Sequence, residues 1–377
     1  MKIEIASVKT KKDLDIFLKL PWAVYKDLPN WVPPLLSEAA EILDTAKNPF
    51  WEHARRELFL AREDGRPVGR IAAIVDDSHN VFHGDKTGFF GFFECGNNPE
   101  AAGALFGEAK KSLIASGMSV MRGPVNPSMN DECGFLLEGF DRPPAAMMPY
   151  TPPYYLELAE TCGFKKAKDL YAFIKPLKDG VPERMEKIIE RIKKNTAVKI
   201  RPLDMKNFAR DIGYLKDIYN AAWEKNWGFM PMTSREMDLA AVKLKQFVRP
   251  ELVLFAEIND KPVGVSVTVP DINQVLARLN GRLGPIGILK FLYYRNRIDG
   301  IRALIGGVRK EYRNTGIISV LYHETEKAAV RLGYKWCELG WNLEDNDLIN
   351  KFDEAIGGKL YKKYRIYEAP ISQRIES

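Results

Sequence analysis

The sequence predicts an α/β (α+β) protein made of two tandem domains, each a mixed, mostly antiparallel sheet flanked by helices. A repeat carries this reading. Residues 58–69, LFLAREDGRPVG, return as 253–264, VLFAEINDKPVG, at an offset of 195. Gly163-Phe164-Lys165 through Pro176 returns as Gly357-Gly358-Lys359 through Pro370 at an offset of 194, and Asn30-Trp31 returns as Asn226-Trp227 at 196. Three echoes at nearly one spacing mark a duplicated domain. Length is the second observation: 377 residues suffice for two cores. The third is that short β-rich runs and helical periodicity alternate in the same order in both halves.

In the second half, 198–201 alternates as a short strand. Residues 207–227 repeat apolar positions at helical spacing (Phe208, Ile212, Leu215, Ile218, Tyr219, Ala222), and 234–248 do so after a Thr233-Ser234 cap. Residues 252–258 and 263–269 are β-rich and joined by Asn259-Asp260, a pair suited to a tight hairpin turn. A strand over 301–308, a helix over 317–332, a strand over 334–341, a helix over 346–356 and a strand over 360–368 complete the copy. The first half follows the same order, with a strand over 88–94, a helix over 99–116, a strand over 118–122 and a last strand over 169–174. The domains are thus 1–178 and 197–377. Between them, 179–196 holds a helix that Pro182 opens and whose Glu, Arg and Lys content reads as a solvated spacer.

Composition bounds the function. With 46% hydrophobic and 28% charged residues the chain is globular. No run of about 18 apolar residues occurs, so no spanning helix and no stable membrane insertion are expected. Glu4, Asp13 and Asp15 without an apolar stretch argue against a signal peptide. Cys95, Cys133, Cys162 and Cys337 form no CxxC pair and read as reduced thiols of a cytoplasmic protein. A net charge of +6 suits an anionic ligand and does not call for nucleic acid. His79 and His83 are four apart, but Asn80, Gly84 and Asp85 read as a turn, so no metal site is expected.

The sharpest local feature runs from Gly306-Gly307-Val308 through Arg313-Asn314-Thr315-Gly316-Ile317-Ile318, between a strand and a helix. Such a turn aligns backbone N–H groups with a helix dipole and suits a pyrophosphate. Gly316 lets the backbone approach closely, and Arg313 adds charge. The pattern V-x-x-E-Y-R-x-x-G-I before an amphipathic helix resembles the acyl-CoA-binding motif of the GNAT (GCN5-related) acetyltransferases, V-x-P-x-x-R/Q-x-x-G-x-G/A. The segment from Asn346 to Gly358 resembles the family's later N-x-x-A…Y-x-x-x-G-F stretch. The resemblance covers 197–370 and, more weakly, the first copy. Three positions depart from it: Ile318 stands for a second Gly or Ala, Lys310 for Pro, and Asp353 for the Tyr that many members use as an acid.

The resemblance implies an acyl-CoA-dependent N-acyltransferase, with acetyl-CoA or another acyl-CoA as co-substrate. A small-molecule or peptide amine would attack the thioester directly. The CoA set would be Gly306, Gly307, Val308, Arg313, Asn314, Thr315, Gly316, Ile317, Ile318 and Asn346. The base would be Glu257 or Glu338, and the acid Tyr361 or Tyr364. A CoA-binding sensor without catalysis and a Fem-like aminoacyl transferase are the alternatives.

The matching place in the first copy, Phe92 to Glu100, has no Arg and carries Glu94 and Glu100, which repel a pyrophosphate. Its stretch from Arg122 to Gly134 has two readings. Asn126, Asn130, Asp131 and Glu132 bind the amine acceptor, or the loop is capped by its own side chains. The insertion at 277–300 mixes Arg278, Arg282, Lys290, Arg295 and Arg297 with Leu, Ile, Phe and Tyr. It reads as a surface helix packed on its own domain. The other reading is an amphipathic helix that shields an acyl chain or rests on anionic lipid.

Overall fold

The computed structural model describes residues 2–223 and 226–371. Its contacts divide the chain into two compact units. Among the described residues, unit 1 holds 2–170, 276–291 and 362–371, and unit 2 holds 171–223, 226–275 and 292–361.

The first copy runs β1 (Ile3–Ser7), α1 (Lys11–Val24), α2 (Leu36–Leu43), β2 (Ala54–Glu63), β3 (Arg66–Asp76), α3 (Asp77–His83), β4 (Thr87–Cys95), α4 (Pro99–Ala115) and β5 (Val120–Gly123). Short strands β6 (Val125–Asn126), β7 (Glu132–Cys133) and β8 (Phe135–Glu138), then α5 (Tyr155–Thr161) and β9 (Lys165–Pro176), follow. Then come α6 (Glu183–Thr196), β10 (Lys199–Pro202), α7 (Phe208–Trp223), α8 (Ser234–Lys245), β11 (Val253–Ile258) and β12 (Lys261–Pro270). The chain closes with α9 (Asn273–Leu279), α10 (Pro285–Tyr294), β13 (Gly300–Val308), α11 (Ile317–Arg331), β14 (Trp336–Leu343), α12 (Asp347–Ala355) and β15 (Lys359–Pro370).

The repeat places equivalent turns at equivalent hairpins. Asp64 and Gly65 (φ 47° and 81°) join β2 to β3, and Asn259 and Asp260 (φ 51° and 59°) join β11 to β12. Two consecutive left-handed residues match the twist of a two-residue hairpin, and Asn, Asp and Gly tolerate that region best. Thr233 caps α8 in a reciprocal box with Glu236, as its sequence position predicts. Around His79 and His83, where Asn80, Gly84 and Asp85 read as a turn from sequence, the chain forms the helix α3, which Gly84 ends at φ 65°.

In unit 1 the strands β1 to β4 pair antiparallel, and β4 pairs parallel to β5 over Thr87–Phe89. The last segment of the chain completes this sheet: Tyr367 faces Gly123 and Pro370 faces Val120. Tyr367, Ala369 and Ile371 are buried in the same core as Phe90, Phe106 and Phe135. The second copy's final strand therefore supplies part of unit 1. In unit 2 the order is β9-β14-β13-β12-β11-β10, antiparallel from β10 to β13 and parallel at β13/β14.

Helix α6 is not the solvated spacer expected from its charge. Ile189 is fully buried, and Lys193 lies 2.6 Å from Glu324 of α11. An amphipathic stripe of Met185, Ile189 and Ile192 every third or fourth residue gives it an inward face despite its polar composition.

Candidate functional site

Strands β13 and β14 of unit 2 pair only from Gly300 opposite Trp336 to Ala303 opposite Leu339. Beyond these residues β13 continues to Val308 and β14 to Leu343, with no further pairs between them among the described residues. The two strands part, and the β13 backbone facing β14 leaves the ladder. Glycines at this stretch let aromatic rings lie against the strand. A Cβ on Gly306 would stand 2.6 Å from the Tyr322 hydroxyl, and one on Gly307 would stand 2.8 Å from the Trp223 ring.

At the end of β13, the chain turns through Lys310–Tyr312 into α11. Gly316 occupies the N-cap at φ 80°, and no side chain caps the helix. Its Cα faces the side chain of Ile192 on α6, where any Cβ would overlap. Thr315 Oγ1 donates to the Tyr312 carbonyl at 2.7 Å. Arg313 Nη2 donates to the carbonyls of Ala221 and Ala222 at 2.9 and 3.1 Å. Its guanidinium thus ties the end of α7 to the turn. Ile317 is buried, and Val308 and Ile318 pack on the Val263–Leu321 cluster. Asn346 is the N-cap residue of α12.

Two buried carboxyls lie on the elements that meet here, Glu338 in the paired stretch of β14 and Asp353 of α12 beside Asn342 of the same strand. Glu338 is fully buried on β14, 3.0 Å from Nε of Arg302, its register partner on β13. Tyr361 donates its hydroxyl to the same carboxylate. Asp353 of α12 is 1% exposed. Asn342 Nδ2 donates to its Oδ2 at 2.7 Å, while Oδ1 has no hydrogen-bond partner among the described residues. Burial outweighs that amide and pushes the Asp353 carboxyl up to about 7. Burial, and then the Asp353 charge, push the Tyr322 phenol well above its usual range. A carboxyl poised near neutrality in a dry site is the chemistry of a general base.

Of the four catalytic candidates read from sequence, Glu338 and Tyr361 are brought together. Glu257 sits on β11, with β12 and β13 between it and β14. It pairs with Arg201 at 2.7 Å, and Arg201 also holds Asp211 at 2.6 Å. Tyr364 is fully buried in unit 1, opposite Leu136. Sequence reasoning missed the role open to Asp353, Asn342 and Tyr322. A signal was present: Asp353 shares helical spacing with Ile349, Phe352 and Ile356, so the pattern put a carboxyl on an apolar face.

The first copy closes the same place with its own chain. Beyond Phe89, the Gly91 Cα faces the carbonyl of Val125, and the Phe92 amide donates to Asn126 Oδ1 at 2.6 Å. The helix that follows is self-capped, with Asn98 Oδ1 accepting from Ala101 N at 3.1 Å and Pro99 and Glu100 in its first turn. In the loop itself, Ser128 Oγ donates to Asp131 at 2.6 Å and accepts from Asn130 N at 3.1 Å, and the backbone of Glu132 lies opposite Asn126 in the β6–β7 ladder. These contacts match the self-capped reading of the loop. Burial pushes the Cys95 thiol up to about 12 and raises Cys162 and Cys337 as well, which disfavours the thiolate that a nucleophile needs.

No family model matches the chain. It is 37% identical to Protein YghO of Escherichia coli (strain K12) over 369 residues, covering 96% of this chain and 94% of that one. It is 36% identical over 374 residues to the bacterial ceramide synthase of Caulobacter vibrioides, covering 97% of each. Among solved structures, a tandem GNAT protein from the clavulanic acid biosynthesis pathway superposes with a TM-score of 0.58 at 11% identity, covering 98% of this chain and 99% of that one. A GCN5-related N-acetyltransferase from Sphaerobacter thermophilus does so with a TM-score of 0.53 at 13% identity, covering 100% and 98%. The fold is a tandem GNAT fold.

Proposed function

The chain belongs to the family of Protein YghO and the bacterial ceramide synthase, and from that premise we propose that it is an acyl-CoA-dependent N-acyltransferase acting on a long-chain amine. The observation that carries the reading is the parting of β13 and β14 beside an uncapped helix start; in the first copy β4 and β5 also part beyond Phe89, but Val125 and Asn126 fill the gap and Asn98 caps the helix that follows. An uncapped helix N-terminus leaves amides and a positive dipole end for a pyrophosphate. The off-ladder β13 backbone supplies donors for a thioester carbonyl. Val308, the Gly306-Gly307 pair, Asn314 to Ile318 and Asn346 remain the residues assigned to CoA. Arg313 contributes by fixing the turn.

In the proposed reaction the amine nitrogen attacks the thioester carbon. The C–S bond breaks, an amide forms, and the proton that the attacking nitrogen loses passes through Asp353 to the departing thiolate, which leaves as the thiol. Asp353 takes the proton from the amine. Among the described residues its side chain has the neutral Asn342 as hydrogen-bond partner, and it can ionise and reprotonate near neutral pH. Glu338 is held by Arg302 and Tyr361 and orders the floor of the site. The relative's name, ceramide synthase, favours an acceptor of the sphingoid type, an amine on a long alkyl chain, over a short polar amine.

The test is calorimetric titration of acyl-CoA, followed by thiol release on adding a sphingoid base, a short diamine or a peptide amine. Saturable CoA binding and release dependent on the sphingoid base are expected. Binding without release from any amine would instead establish a sensor, and no binding would remove the acyl-CoA assignment.

A further inference from the structure

The insertion between β12 and β13 turns its apolar side outward. On α10, Gly287 is buried and Phe291 and Tyr294 are half-buried, so one narrow stripe faces the protein. The opposite, much wider face carries Ile286 (71% exposed), Leu289 (68%), Tyr293 (55%), Leu292 (50%) and Ile288 (48%). Leu283, just before the helix, is 47% exposed. A surface helix that merely packs on its own domain shows the reverse pattern, with polar residues outward. Contiguous apolar side chains at this exposure mark a surface that meets something else.

Charge identifies that partner. Between Asp271 and Asp299 there is no acidic residue and there are five basic ones, Arg278, Arg282, Lys290, Arg295 and Arg297, in a chain whose net charge is +6. All five are exposed. Arg297 stacks 3.6 Å over the Tyr293 ring and donates to the Tyr293 carbonyl at 2.9 Å, which holds a cation at the rim of the apolar face. The segment before the helix is fixed rather than loose: Trp22 Nε1 donates to Asn280 at 2.9 Å, and Leu36 N donates to the Gly281 carbonyl at 3.0 Å. No helix of the described residues is long and apolar enough to cross a membrane. A short, anchored helix with bulky apolar side chains outward and cations around them has the makeup of an interfacial anchor.

We infer that the outward face of α10 docks the protein on the surface of an anionic phospholipid bilayer. Ile286, Leu289, Leu292 and Tyr293 enter the acyl boundary, while Lys290 and the flanking arginines meet lipid phosphates. The inference does not depend on the reaction assigned above. It concerns where the chain sits, and it places an enzyme for long-chain amines at the phase that dissolves them.

The experiment is flotation of the full chain with vesicles of phosphatidylcholine alone, or with about one third phosphatidylglycerol. Binding to the anionic vesicles is expected, weakened several-fold when salt rises from about 0.1 to about 0.5 M. Ile286→Asp/Leu289→Asp should bind at least about tenfold more weakly, because two anchors are lost and two like charges face the lipid. These side chains are exposed, so the variant's melting temperature should match the parent's. Lys290→Glu should bind anionic vesicles less while leaving the weak binding to phosphatidylcholine unchanged. Failure of the parent to float with anionic vesicles, or equal flotation of the double variant, would overturn the inference. So would a parent dimer that Ile286→Asp/Leu289→Asp converts to monomer without any vesicle binding, since a second copy would then be the occupant. Thiol release from acyl-CoA in detergent reports on the reaction separately.

Discussion

Replacing Asp353 by Asn should make the protein more stable and nearly inactive at the same time. The folded chain holds the Asp353 proton near 7 against an ordinary aspartate value of 3.8, and the first cause is burial. The native state therefore binds this proton more tightly than the unfolded chain does. The contribution of Asp353 to stability is greatest below about pH 4, declines as pH rises from about 4 to about 7, and is level above that. The gap is about 3 pH units, and at about 1.4 kcal/mol per unit the buried charge costs on the order of 4 kcal/mol at pH 8. Asparagine keeps an oxygen for Asn342 Nδ2 and removes the charge. Asp353→Asn should thus melt several degrees higher than the parent at about pH 8 and at the same temperature at about pH 4. If Asp353 is the base, kcat should drop by about 10²- to 10⁴-fold, and the parent's kcat/KM should rise with pH to a plateau above about 7. Thermal melts at the two pH values and a pH–rate profile check both halves. A variant less stable than the parent at pH 8 would contradict a buried charge at Asp353, and one with the parent's kcat would remove Asp353 as the base.

Three further outcomes are expected. Gly316→Val forces a β-branched residue to φ 80° and against Ile192; it should cost about 2–3 kcal/mol of stability and weaken acyl-CoA at least about tenfold, read by melting and calorimetry. Residues 1–178 expressed alone lack Tyr367, Ala369 and Ile371 of the unit 1 core and should aggregate; a soluble fragment with a cooperative melt would contradict this. Asp131→Asn with Glu132→Gln should raise the acceptor KM and leave acyl-CoA affinity alone if the loop faces the amine; an unchanged KM in two-substrate kinetics would assign the loop to its own turn.

The fold was legible because its signals are local and doubled. Paired hairpin turns at Asp64-Gly65 and Asn259-Asp260, the Thr233 cap and the repeated last strand each follow from a few residues in sequence. What stayed hidden depends on which residues meet across the chain. Nothing local says that residues 362–370 complete the sheet of unit 1, because Tyr367 would pack equally well in a strand of its own copy. Arg313 read as a phosphate ligand because the motif fixes its position; the carbonyls of Ala221 and Ala222 that it holds are about ninety residues away. Glu338 read as one of two equal strand carboxylates until Arg302 and Tyr361 appeared around it. Asp353 read only as a departure from the family's Tyr, since its perturbation comes from burial, which a sequence shows only as periodicity. The charge of α10 was visible, but the side to which its leucines and isoleucines turn was not.

One product analysis decides whether the parted strands of the second copy carry acyl transfer from CoA to a long-chain amine with Asp353 as base. Mass spectrometry of the parent and of Asp353→Asn, each incubated with acyl-CoA and a sphingoid base, tests it most directly. An N-acyl product from the parent, one free CoA thiol per amide formed, and a variant that still binds acyl-CoA but forms almost no amide are expected. Absence of any amide from a parent that binds acyl-CoA, or full product from the variant, would contradict it.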